Sequence, residues 1–338
     1  MTPLLKFNGV FERNIENKIF SVENEQQFEQ LALEIFQVQA VQNKIYKEFI
    51  EKLNINVSEV RSLQQIPFLP IEFFKTHEVI TGEFIPEAVF KSSGTTGMET
   101  STHLVKDLSL YEKSFFTNFN NCFGACEDYT FLALLPSYLE RNDSSLIYMM
   151  KKLTERSNDS RSGFYLNATA DLIELLSRLN SETKKHILVG VTFALLDFPN
   201  QVQTDFPQTI VMETGGMKGR KKEMIREEVH AELKNKFGVK TIYSEYGMTE
   251  LLSQAYSKGD VNYFTPPWMK VIIREPNDPL EILSPTQAGA INIIDLANIH
   301  SCSFIATDDL GKINADGSFS VSGRMDSSDV RGCNLLVV

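Results

Sequence analysis

Apolar residues recur at helical spacing through the first part of the chain: Phe28, Leu31, Ala32, Ile35 and Phe36, then Val41, Ile45, Phe49 and Leu53. That period lines one face and predicts a helical segment to about Ile55. Asn54 to Ser58 breaks it, and Pro67 and Pro70 bracket Phe68-Leu69 ahead of Phe73-Phe74-Lys75. Ala88-Val89-Phe90 reads as a strand end, and Leu108 to Phe119 as a helix. The continuous run Tyr129 to Leu135 predicts a buried strand stopping at Pro136, with a helix carrying Leu146, Ile147, Met149 and Met150 after it. A helix over Ala170 to Leu179, strands His186 to Val191 and Thr209 to Met212, a charged helix Lys221 to Phe237 and a strand Lys240 to Tyr243 follow. From about residue 270 short strands replace helices: Val271 to Ile273, Ala290 to Ile294, Ser303 to Ala306 and Ser318 to Val321. Alternating strands and helices followed by a β-rich end predict an α/β domain with a small β-rich subdomain.

Composition narrows the class. The 338 residues are 42% apolar and 23% charged, the balance of a soluble globular protein. A net charge of -11 argues against general nucleic-acid or anionic-membrane binding. Met1 to Val10 is too short and mixed for a secretory signal, and no apolar run reaches the ~20 residues that cross a bilayer. Cys122, Cys126, Cys302 and Cys333 lack paired zinc spacing, so a reduced, cytoplasmic protein is expected. His77, His103, His186, His230 and His300 are scattered without nucleophile or metal spacing, and structural or surface roles are expected for them.

The densest chemistry lies in Ser92-Ser93-Gly94-Thr95-Thr96-Gly97, where hydroxyls and bare backbone alternate. Glycine lets successive N–H groups converge on one centre, and Ser and Thr add donors, so the loop suits a polyphosphate. The lysine of the P-loop pattern is absent, which argues against a P-loop NTPase. Taken singly, the run reads equally as a surface linker. Four later segments change that. Glu213 to Arg220 contains Gly215 and Gly216, fit for close approach to a flat ligand, with Lys218 and Arg220 as cations. Tyr243 to Glu250 offers Tyr246 to stack on a base, Gly247, Thr249 to reach a phosphate, and Glu250 to hold Mg²⁺. Asp309, in Thr307-Asp308-Asp309-Leu310-Gly311, suits the hydroxyl pair of a ribose. Gly323-Arg324-Met325-Asp326 comes last.

The order of these five segments resembles that of adenylate-forming enzymes, from about Ile66 to the end of the chain. Phe68 to Lys75, Leu134 to Arg141 and Thr214 to Arg220 further resemble the acyl-protein synthetases of bacterial luminescence and fatty acid reductase systems, with phenylacetate–CoA ligases next. Behind the helical segment read from periodicity (1–65), the resemblance implies an adenylate-forming α/β domain (66–322, β-rich from about 270) and a tail (323–338). It implies ATP and Mg²⁺ as cofactors, with Ser92 to Gly97 on the phosphates and Gly215, Gly216 and Tyr246 around the adenine. Thr249 and Glu250 would serve phosphate and metal, and Asp309 the ribose, with Arg324 close by. A carboxylic acid, in this family a long-chain fatty acid, would become acyl-AMP and pass to a thiol, then to an acyl-reductase partner. Two departures stand out. Glu99 and Thr100 replace the Pro-Lys of many relatives, and only twelve residues, none of them lysine, follow Asp326. The mobile C-terminal domain with its lysine is therefore expected to be absent, leaving Lys218, Arg220 or Arg324 to neutralise charge. Cys333 matches the family's acyl-acceptor cysteine, with Cys302 the weaker candidate. Phe73, Phe74, Tyr138 and Tyr165 are candidate acyl-pocket linings. Two competing readings are a ligase delivering to coenzyme A or a carrier protein, and an inactive nucleotide-binding scaffold.

Overall fold

The computed structural model describes residues 9–93, 100–135, 142–167, 170–199, 206–215 and 224–325. Three helices open it: α1 (Gly9–Ile19), α2 (Glu25–Gln42) and α3 (Lys44–Lys52). Asn43 divides the last two. Its side chain accepts from the Tyr46 N–H at 3.0 Å, capping α3, and donates to the Ser301 carbonyl at 3.0 Å. Gln39, fully buried on α2, reaches the same distant segment. Its Nε2 lies 3.1–3.3 Å from the carbonyls of Asn298, Ile299 and Ser301, and its Oε1 accepts from the Ser303 N–H at 2.9 Å. Polar groups buried this deeply persist because each finds partners.

Twelve strands form one sheet among the described residues. Its parallel half runs β5 (Gly163–Tyr165), β4 (Tyr129–Leu134), β6 (Lys185–Val191), β7 (Thr209–Thr214) and β8 (Ile242–Tyr246). Helices α5 (Leu108–Phe123), α6 (Ser145–Arg156), α7 (Ala170–Asn180), α8 (Thr192–Leu196) and α9 (Arg226–Phe237) accompany it. In chain order this half reads 2-1-3-4-5, a doubly wound arrangement whose ligands bind beyond the carboxyl ends of the strands. Every residue of β4 is buried, as a parallel strand covered on both faces requires.

The sheet continues antiparallel through β9 (Ala255–Ser257), β10 (Asn262–Phe264), β14 (Phe319–Arg324), β13 (Phe304–Ile313), β12 (Gly289–Asp295) and β11 (Met269–Arg274). The short β1 (Leu69–Pro70) joins β13 in parallel at Ile305 and Ala306. Separate from this sheet, β2 (Ala88–Lys91) and β3 (Thr102–Val105) form a two-stranded hairpin, and α4 (Phe73–Thr76) lies before it. No helix among the described residues is long and apolar enough to cross a membrane.

Local boundaries depart from the sequence reading where polar residues prolong strands. β8 runs through Ser244 and Glu245 to Tyr246 rather than stopping at Tyr243, because both residues are buried beside the end of β7. Asp308 and Asp309 lie within β13, and Gly323 and Arg324 within β14, where turns and bends are the local expectation. A register shift at Leu310/Gly311 lets the strand pass, and Gly311 has no room for a side chain: a Cβ would fall 2.0 Å from the Ser320 carbonyl oxygen.

Candidate functional site

The carboxyl ends of β7 and β8 lie side by side, Glu213 against Ser244 and Thr214 against Glu245. Gly215 follows β7 with φ +72, a conformation glycine adopts without strain. The Thr192 hydroxyl, at the start of α8, sits 2.8 Å from Glu213 Oε2 and 2.9 Å from the Gly215 carbonyl. Arg226 donates to Glu213 Oε1, and His230 Nε2 is 3.6 Å from the same oxygen. Burial alone would raise the Glu213 carboxyl, but Arg226 and the bonds from His230, Ser244 and Thr192 outweigh it and hold it below the ordinary range. Arg226 also stands over the Tyr263 ring at 5.3 Å and feels the Asp309 charge.

Tyr246, the last residue of β8, is buried between Tyr263 and Phe319, with ring centroids 5.6 and 5.4 Å away, so its ring is covered by protein rather than presented to a base as the sequence suggested. Its hydroxyl donates to Asp309 Oδ2 at 2.7 Å. Asp309 lies opposite Arg324 in the β13–β14 ladder, with Arg324 Nε 3.8 Å from Oδ1. Arg324 is 68% exposed, so this ion pair stays open to a ligand. Burial raises the Asp309 carboxyl, and Tyr246 and Arg324 offset that in part.

Beyond Gly247 the chain turns through Thr249 to Glu250. Asp295, at the end of β12, accepts the N–H groups of Leu252 and Ser253 at 2.9 Å each and so holds the segment after the turn. Asn298 donates to the Glu250 carbonyl at 2.7 Å. The Glu250 side chain is buried. Desolvation raises its carboxyl, against the opposing pull of a Ser101 hydrogen bond and the charges of Arg324 and Lys75. Ser101 also belongs to the hairpin: its N–H donates to Ser92 Oγ at 2.9 Å, and the Ser92 N–H donates to its carbonyl at 3.0 Å. His103 Nδ1, on β3, lies 2.8 Å from the Thr249 carbonyl oxygen. The start of the Ser/Gly/Thr loop and the Thr249–Glu250 turn are therefore held together.

The structure thus gathers Ser92, Thr249, Glu250, Tyr246, Asp309 and Arg324 along one edge, with Gly215 and Gly247 at the adjoining strand ends, and Ser93 ends the described part of the loop. Gly94, Thr95, Thr96, Gly97, Gly216, Lys218, Arg220, Tyr138 and Cys333 lie outside the described residues. Cys302 is fully buried, and burial pushes its thiol up to about 12, which disqualifies it as an acceptor nucleophile. Of the suggested acyl linings, Phe74 meets the His103 ring edge-on at 5.9 Å, Phe73 stacks on His77 at 5.3 Å, and the Tyr165 hydroxyl donates to the Arg161 carbonyl at 3.0 Å. A cavity of about 10 Å³, the size of one water, lies instead among Phe131, Met149, Met150 and Met212, with Thr214 and Glu245 as its polar wall. The Thr214 hydroxyl donates to Glu245, whose carboxyl burial pushes up to about 7. Sequence reasoning passed over Glu213, Arg226, Glu245 and Asn298. The available signal was a carboxylate at the end of each of two apolar strands.

No family model matches the chain, and no curated protein matches its sequence. Solved structures do resemble it. The ATP-bound MatB of Rhodopseudomonas palustris aligns over 70% of this chain and 48% of its own, at 17% identity and a TM-score of 0.50. A 2-hydroxyisobutyryl-CoA ligase in the postadenylation state, in complex with R3-HIB-AMP, aligns over 90% of this chain and 69% of its own, at 11% identity and a TM-score of 0.63. Its open form in complex with 2-HIB-AMP and CoA covers 90% and 77%, at 11% identity and a TM-score of 0.61. The chain spans about half the length of the MatB structures it matches. Its fold is that of the N-terminal domain of adenylate-forming enzymes.

Proposed function

We propose that the chain activates a carboxylic acid with ATP and passes the acyl group to a thiol. The observation that carries this reading is the junction at Glu250: the base of the Ser/Gly/Thr hairpin, the Thr249–Glu250 turn and the Asp309–Arg324 pair converge beside the carboxyl end of β8 in a fold that adenylate-forming enzymes share. In the first step a substrate carboxylate oxygen attacks the α-phosphorus of ATP, and the bond from that phosphorus to the oxygen bridging the β-phosphate breaks. Acyl-AMP forms and pyrophosphate leaves. In the second, a thiolate attacks the acyl carbon, the carbon–oxygen bond to AMP breaks, and a thioester forms.

The residues divide the work. The hydroxyls and amides of Ser92 to Gly97 and the Thr249 hydroxyl hold phosphate oxygens. Asp309 accepts from the ribose hydroxyls while Tyr246 fixes its orientation, and Gly215 and Gly216 border the base. Arg324, with Lys218, meets the charge that develops on the α-phosphate. Glu250 suits Mg²⁺, because magnesium takes one or two carboxylates plus substrate phosphates, and a cation would relieve the burial cost that Ser101, Arg324 and Lys75 offset only in part. Bound there, Mg²⁺ supplies neutralisation of phosphate charge. We assign a long-chain fatty acid as substrate, Cys333 as first acceptor and an acyl reductase as the onward partner.

Carboxylate-dependent pyrophosphate release, screened across chain lengths with intact-protein mass recorded in the same reactions, tests the reading. The expected result is release with at least one acid and a mass gain of one acyl group that Cys333→Ser abolishes. Release with a coenzyme A thioester formed by Cys333→Ser would move the acceptor role to coenzyme A. ATP binding without release for any acid would overturn the activation itself.

A further inference from the structure

Three segments far apart in sequence meet at one imidazole. His103 comes from β3, directly after the Ser/Gly/Thr loop and two residues beyond Ser101, the Glu250 partner. Its Nδ1 lies 2.8 Å from the carbonyl oxygen of Thr249, 146 residues away. Its ring is met edge-on by Phe74, from the Phe68–Lys75 segment whose part in the chemistry the motifs leave open. Asn298, which fixes the Glu250 carbonyl, also faces the imidazole. The ring is 1% exposed.

The protonation state follows from these neighbours. A carbonyl oxygen only accepts, so Nδ1 carries the proton and donates. Burial pushes the imidazole down to about 4, so at neutral pH the ring is neutral.

The reason for a histidine here lies in the topology. The β2–β3 hairpin belongs to its own two-stranded sheet and shares no ladder with β8. Strand pairing therefore does not set the distance between the loop and the Thr249–Glu250 turn; side chains must. Among the described residues two direct bonds span that gap, Ser101 to Glu250 and His103 to Thr249, and of the two residues His103 is the one away from the proposed metal carboxylate. An apolar side chain would fill the same buried space without the desolvation cost of an imidazole, so packing alone does not account for it.

We propose that His103 is a positioning residue for the phosphate site, holding the Ser/Gly/Thr loop and the Thr249–Glu250 turn at a fixed separation through its Nδ1–H bond to the Thr249 carbonyl. This rests on the ATP-dependent activation reading. Catalytic constellations tolerate errors of about 0.5 Å, and a 1 Å misplacement costs about 100-fold in rate.

The test uses two variants of matched polarity. In His103→Asn the amide nitrogen stands near the place of Nδ1 and can still reach Thr249. In His103→Gln it stands near the place of Nε2 and cannot. Pyrophosphate release at varied ATP and acid, with melting temperatures alongside, is the readout. The expected result is that Asn keeps kcat/KM for ATP within about threefold, while Gln loses about tenfold or more with KM for the acid unchanged and a melting temperature matching that of Asn. Equal losses in Asn and Gln that track their melting temperatures would make His103 merely structural and overturn the inference, as would full activity in Gln. A wild-type chain that releases no pyrophosphate with any acid overturns the activation reading instead, and this inference with it.

Discussion

The hydroxyl of Tyr246 donates to Asp309 Oδ2 at 2.7 Å, joining the end of β8 to the middle of β13. Tyr246→Phe leaves a largely buried carboxylate with only the more distant charges of Arg324 and Arg226 to answer it, and the loss of the hydrogen bond raises that carboxyl further. The expected cost is about 1–3 kcal/mol in urea denaturation, together with weaker nucleotide binding by titration. Asp309→Asn removes a largely desolvated charge, so it should weaken nucleotide binding about tenfold while leaving stability unchanged or improved. Wild-type nucleotide affinity in Asp309→Asn would dismiss the ribose assignment.

Glu250→Gln should lower pyrophosphate release by about 100-fold or more and abolish the saturable response to added Mg²⁺. Because burial disfavours the charged carboxylate at this position, the neutral amide should melt no earlier than wild type. A variant that remains Mg²⁺-responsive would place the metal elsewhere.

Glu245 links stability to pH. Its carboxyl rises from 4.5 to about 7 on folding, so between those values the folded chain holds a proton that the unfolded chain has released. Stability therefore falls as pH rises through that window and levels off above it. Glu245→Gln keeps an acceptor for Thr214 but cannot ionise. Its urea midpoint should lose this slope, and above pH 7 it should exceed wild type by up to about 3 kcal/mol. Parallel midpoint curves for the two proteins from pH 5 to 8 would show that the burial cost is not there.

Cys302 should be chemically silent. With its thiol pushed up to about 12 and no surface exposed, it should resist iodoacetamide at pH 8 in the folded chain and react once urea is added. Cys302→Ala should retain acyl transfer and lose about 1 kcal/mol from the buried sulfur it removes. Loss of acyl labelling in that variant, with folding intact, would reverse the preference for Cys333.

The elements with one dominant period could be read in advance. The Phe28–Phe36 stripe lies on α2, and the apolar run from Tyr129 is β4. What escaped is where a polar residue is made tolerable by a distant partner. Ser244 and Glu245 look like the start of a loop until Thr214 and His230 are placed against them. Asp309 and Arg324 are neighbours through the register of two strands, which no local pattern specifies. His103 carries an ordinary local signature, and its distinction comes wholly from Thr249, 146 residues on. The motif order conveyed which segments matter, and the tertiary contacts decide which atoms of them face one another.

The grip of Gln39 on the carbonyls of residues 298 to 301 has a consequence for how the chain comes off the ribosome. Its partners lie 259 to 262 residues downstream. At a synthesis rate of about 5–20 residues per second, α2 would wait roughly 13–50 s before the backbone that receives it exists. Through that interval α2 has only the early-made α1, α3 and Leu63–Gln65 turn to pack against, and the buried amide of Gln39 has no partner. The last step of assembly should therefore be the closing of the C-terminal β-rich segment onto helices already packed together, with Gln39 finding its carbonyls only then.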